Sequence, residues 1–168
     1  MLGSSKKVLP LFASFLVMSA QAANVPRTEL HKRAQCAATL SVAESVASTL
    51  QAHYYVSSSG MYNGGSLWTD ANAVEDLHNL MLGANVDTWS TVGQTSWIGK
   101  NALNPSTNWN SIINGANDDA GWIVLALWKI ADYKSARGQS ATAYLNAAAT
   151  IYNMVAGQWD DTCGGGVW

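Results

Sequence analysis

The sequence predicts an all-α protein built from successive helical hairpins, and three observations carry that expectation. Apolar residues in the long segments recur at helical spacing. No segment alternates with a period of two for long. Clusters of turn-forming residues, "VSSSGMYNGGS" (56–66), "NPSTNWNSIINGAN" (104–117) and Arg137-Gly138, divide the chain into helix-sized pieces.

The first predicted helix is "CAATLSVAESVASTLQAHYY" (36–55), rich in alanine and leucine. The second, "LWTDANAVEDLHNLML", ends near Leu82 and offers Thr69 and Asp70 as cap candidates. A weaker third spans 87–103, and the segment 104–117 reads as loop or a short turn. The fourth, "DDAGWIVLALWKIADYKSA" (118–136), is apolar on nearly all sides, with Trp128 the clearest core tryptophan. The fifth covers 140–158, and "WDDTCGGGVW" closes the chain as a glycine-rich loop. A helix apolar all round needs neighbours all round. Four further helices, and a stop on Trp168 just after a glycine turn, lead to the expectation that the helical assembly continues past residue 168.

The amino-terminal residues read as processing signals. Lys6 and Lys7 precede the apolar run "VLPLFASFLVMSA", and small residues follow at Ala20 and Ala22. That pattern predicts a secretory signal peptide over 1–22, the run being shorter than the ~20 residues a membrane span needs. The polar stretch 23–33 ends on Lys32-Arg33 and reads as a short pro-peptide, which places one domain over 34–168. Five of the nine basic residues precede residue 34, against one of the eleven acidic ones. The remainder holds four basic and ten acidic residues, a net of −6, which argues against nucleic acid as a partner and leaves neutral ligands such as sugars open. Export would permit a disulfide, but Cys36 and Cys163 can pair with each other or with something else. No metal-ligand spacing occurs, and neither a metal nor a cofactor is expected.

The candidate site is the stretch "NGANDDAGW", where Asp118 and Asp119 stand together at the mouth of the fourth helix. Asn117 suits an N-cap, and acids in a first turn are favoured by the helix dipole, so a structural role explains the pair by itself. A chemical role explains it too. Adjacent helix residues diverge by about 100°, which puts their carboxyl groups roughly 5–6 Å apart. That is close to the separation used by retaining glycosidases. Like-charge repulsion raises one pKa while free backbone amides stabilise the other's charge, giving one acid and one nucleophile. Eight tryptophans against two phenylalanines fit sugar stacking, and Trp109, Trp122, Trp159 and Trp168 flank the Asp118-Asp119 and Asp160-Asp161 pairs.

Taken together, "NGANDDAGWIVLALWKIADY", "WDDTCGGGVW" and "MYNGGSLWTDANAVEDL" resemble glycoside hydrolase family 76, the α-1,6-mannanases, whose fungal members include cell-wall mannosidases. The resemblance covers roughly 36–168. It implies an (α/α)6 barrel of six hairpins, of which the five helices are fewer than half. It also implies Asp118 as nucleophile, Asp119 as general acid/base, and contacts to mannose from Trp159, Asp160 and Asp161 on the closing loop. Asn117 and Trp122 join these as candidate substrate contacts. The implied activity is retaining endo-cleavage of α-1,6-mannan or a mannoprotein glycan by a secreted or wall-bound protein. A transglycosidase of the same fold, and a non-catalytic fragment, are the alternatives. A GPI signal beyond residue 168 would favour the transglycosidase.

Overall fold

The computed structural model describes residues 37–167. The predicted signal peptide and pro-peptide, Cys36 and Trp168 lie outside them. Among the described residues the fold is all-α, with one two-stranded ribbon as its only sheet. Helix α1 is Ala37–His53. Strands β1 (Tyr55–Val56) and β2 (Met61–Tyr62) pair antiparallel and lead into α2, Leu67–Ala84. Three short helices follow: α3 (Val92–Thr95), α4 (Trp97–Leu103) and α5 (Trp109–Ile113). The long α6 (Asn117–Ala136) and α7 (Thr142–Ala156) complete the set, before a 3-10 turn at Thr162–Gly164.

Three predicted features differ in ways local chemistry explains. The expected helix over 87–103 is broken at Ser96, whose backbone is extended (φ −61, ψ 152). Its hydroxyl accepts the Gly99 amide at 3.1 Å and starts a new helix there, the ordinary work of an N-cap serine. The two pieces then fold onto each other: a Cβ on Gly99 would lie 2.1 Å from the Gly93 carbonyl oxygen, so only glycine permits the contact. Asn108 likewise caps α5 through its side chain, so the segment read as loop holds a helix of five residues. At α2 the cap is Ser66, not Thr69 or Asp70. The Ser66 amide donates to Thr69 Oγ1 at 2.6 Å, while Asp70 turns inward and is buried.

Helices α2 and α6 make the principal seam and run parallel. His78 stacks edge-on against Tyr133 with ring centroids 5.4 Å apart, and Arg137 donates to the Val86 carbonyl at 3.4 Å. Numbers rise together along both helices, which only a parallel pair allows. In contrast, α7 returns antiparallel to α6, since Asn117 at one start meets Gln158 beyond the other end. Helix α1 is antiparallel to α2: Gln51 bonds Tyr62 near the start of α2, while Val46 and Leu50 line a groove with Leu77 and Leu80. Two helical hairpins therefore stand side by side, with α3–α5 carrying the chain back between them.

The buried face of α6 holds Ala120, Ile123, Ala126, Leu127, Ile130, Ala131 and Tyr133. The opposite face is not covered. Trp122, Leu125 and Trp128 are exposed there, Trp128 by 51%. Trp128 is thus not the core residue its neighbours in sequence imply. The helical period turns it onto the outward stripe, where it lines a shallow groove with Val124, Leu145 and Tyr152. Trp109, by comparison, is a core residue at 6% exposure.

One buried polar group carries a pH dependence. The Nδ1 of His78 lies 2.7 Å from the Val74 carbonyl, which can only accept, so Nδ1 holds the proton and Nε2 is bare. Nε2 faces Gly93 with no partner. Protonating it would bury a cation with no acceptor, and burial first, then the Lys134 charge, lowers the pKa to about 4.

Two outcomes are expected. Replacing Gly99 by Ala should destabilise the protein by on the order of 1–3 kcal/mol in denaturant unfolding, because backbone has to move. An unchanged midpoint would refute the close contact. His78 binds a proton more readily unfolded (6.5) than folded (about 4), so its contribution is present above pH 6.5 and is lost towards pH 4. The stability advantage of the parent over His78→Gln should shrink across that window by roughly 3 kcal/mol at most. A difference independent of pH would show that His78 does not titrate in this way.

Candidate active site

The chain enters α6 through a tight corner. Asn114 adopts a left-handed conformation (φ 46) that ends α5, and the Ala116 amide donates to the Ile113 carbonyl at 2.9 Å. The N-cap position falls on Ala116, which offers no side-chain bond, so the role expected for Asn117 is displaced by one residue. Asn117 is already helical. Its side-chain amide instead reaches Gln158 Oε1 at 3.4 Å, tying the start of α6 to the loop after α7.

Asp118 and Asp119 occupy the first turn of α6, where free backbone amides and the dipole favour negative charge. Their surroundings differ. Asp118 is exposed on the same stripe as Trp122, which follows four residues later and is 40% exposed. Asp119 is half-buried. Burial first, then the neighbouring Asp118 charge, lifts its carboxyl above the ordinary carboxylate range. Side by side in sequence, one carboxyl faces solvent and the other is biased towards holding its proton.

The loop after α7 closes on itself. The Asp160 amide and carbonyl pair with those of Gly166, both at 2.8 Å. Asp160 Oδ1 accepts the Thr162 amide at 2.7 Å and the Thr162 hydroxyl, and these bonds hold its carboxyl below the usual range. The Trp159 indole N–H donates to Asp161 Oδ1 at 2.9 Å. That ring, 61% exposed, lies over Gly165, where a Cβ would sit 2.4 Å from it. The loop is therefore a braced platform that presents an indole. Cys163 at its tip is exposed.

The Asn117–Gln158 bond brings these parts to one end of the molecule: Asn117, Asp118, Asp119 and Trp122 from α6, and Trp159, Asp160 and Asp161 from the loop. Trp109 does not join them, being buried under α7. The start of α2, which the sequence offers only for its cap residues and a family-like motif, is put at the same end by the parallel seam. Trp68 is exposed there, and Asp70 is buried with its Oδ1 accepting the Tyr62 amide at 3.2 Å. Burial raises the Asp70 carboxyl. Only the direction of α2 relative to α6 reveals that these residues share an end with the acid pair, and no local pattern carries that information. Among the described residues no group of three or more His, Cys, Asp or Glu side chains could hold a metal ion. No helix among them is long and apolar enough to cross a membrane.

No curated protein and no solved structure gives a significant match to the chain. The family model described as glycosyl hydrolase family 76 matches residues 35–168, which takes in every element described above. A paired carboxylate at a helix start, exposed indoles beside it and a family match over most of the chain lead to one assignment: the chain belongs to glycosyl hydrolase family 76.

Proposed function

We propose that the protein is a retaining mannan endo-1,6-α-mannosidase in which Asp118 is the nucleophile and Asp119 the general acid/base. Family membership supports glycoside hydrolysis of α-mannan. The observation that carries the finer reading is the asymmetry of the pair, with Asp119 raised by burial and by the charge of an exposed Asp118. Retaining chemistry needs one protonated acid and one ionised carboxylate.

The reaction follows in two balanced steps. Asp119 delivers its proton to the glycosidic oxygen as the Asp118 carboxylate attacks the anomeric carbon. The C–O bond breaks, the leaving chain departs as an alcohol, and mannose is held as an ester of Asp118. Asp119, now ionised, takes a proton from water as that water attacks the same carbon and frees Asp118. The first-turn amides of α6 stabilise Asp118 as the carboxylate that must attack and later leave. Exposed Trp122 and Trp159 offer flat apolar faces to the sugar rings. The polar-flanked apolar run before Ala22 supports action outside the cell.

Substitution separates the two roles. Asp118→Asn should abolish turnover of natural glycan and activated mannosides alike. Asp119→Asn should lose about 10²–10⁴-fold on natural glycan while retaining the first step on a dinitrophenyl mannoside, and azide should rescue the second step. Azide rescue of the Asp118 variant alone would reverse the assignment. Near-parent activity in both variants would reduce the pair to a helix start worth about 0.3–1 kcal/mol per charge.

A further inference from the structure

We infer that Trp68 at the start of α2 is a further sugar-binding residue, a second wall to the site that α6 and the closing loop begin. The inference rests on the glycosidase reading and deepens it. The buried residues of α2, Asp70, Ala71, Val74, Leu77, His78 and Met81, form one stripe. Trp68 is off that stripe and 47% exposed, so the core does not account for its indole.

Position comes from the seam with α6. Tyr133 lies beside His78, an offset of 55 in number, and His78 and Ile130 both close on Gly93, an offset of 52. Carried back along two parallel helices of equal rise, these offsets set Trp68 level with residues 120–123. That interval follows directly on the acid of the pair and takes in Trp122. Packed helices lie about 8–10 Å apart, so the two starts flank a single site. Seven of the eight tryptophans are described. Four of them are exposed, and three of those four, Trp68, Trp122 and Trp159, gather at this end.

The local structure holds Trp68 in place. Ser66 and Thr69 bond each other across the first turn. The Asn72 side-chain amide donates to the Trp68 carbonyl at 2.7 Å. Behind the turn, Asp70 Oδ1 accepts the Tyr62 amide and sits where a Cβ on Gly65 would meet it at 2.5 Å. The indole is thus carried on a fixed turn, which limits the entropy lost when a sugar stacks on it. An indole face matches the C–H face of a pyranose, and its N–H can donate to a hydroxyl.

The test compares the parent with Trp68→Ala and Trp68→Phe on α-1,6-linked mannooligosaccharides and on a small activated aryl mannoside. Thermal unfolding is recorded for each. Trp68→Ala should raise KM for the longer oligosaccharides by about tenfold, with kcat little changed. The aryl mannoside should lose less than the longer oligosaccharides, Phe should recover most of the loss, and Tm should stay within a few degrees because the residue is half exposed. An unchanged KM in an active, folded Trp68→Ala variant would overturn the role of Trp68 and leave the glycosidase reading intact. Equal losses on both substrates with a lowered Tm would overturn it as well, since that is the mark of a purely structural residue. A parent that neither binds nor cleaves mannooligosaccharides would overturn both readings together.

Discussion

The parallel packing of α2 on α6 is the constraint on which the site depends. Ala71, Val74 and Met81 on one helix and Ala120, Ile123, Leu127 and Ile130 on the other are all buried, and small residues within these faces let the backbones approach. A parallel pair cannot be joined by a short turn. The chain has to travel back before starting α6, and α3, α4 and α5 are that return path. The result is two helix starts at one end, each bringing the positive end of its dipole there. An antiparallel pair would have packed as well and would have put Trp68 and Asp70 at the far end from Asp118.

The acid pair shows how neighbours in sequence come to stand in different surroundings. Two identical side chains, adjacent in sequence, differ because the helix carries one outward beside Trp122 and turns the other by about 100° towards the protein. Desolvation then acts on Asp119 more than charge does, and both act in the same direction. The dipole opposes this for any first-turn acid. For Asp119 the net direction is upward from the ordinary carboxylate range.

Legibility in the sequence followed physical range. The long helices, the all-α class and the first-turn place of Asp118 and Asp119 were readable, because periodicity and turn chemistry are local. The break at Ser96 was missed because apolar spacing runs through it while one hydroxyl ends the helix. Asn117 looked like the cap, but a left-handed Asn114 shifts the helix start by one residue. Trp128 and Trp109 exchanged their expected places, one exposed and one buried, because composition says that a helix is apolar without saying which side is covered. The place of Trp68 beside the acid pair is illegible for a stronger reason: its relation to Asp118 spans fifty residues and exists only through the direction of a tertiary seam.

The division of labour between Asp118 and Asp119 is the central claim, and trapping the covalent intermediate tests it most directly. The protein would be incubated with an activated 2-fluoro-mannosyl donor and digested with trypsin, and the peptide spanning residues 101–129 sequenced by mass spectrometry. The account predicts a mannosyl adduct on Asp118, formed in step with loss of activity. An adduct on Asp119, or on a residue outside this peptide, would contradict it.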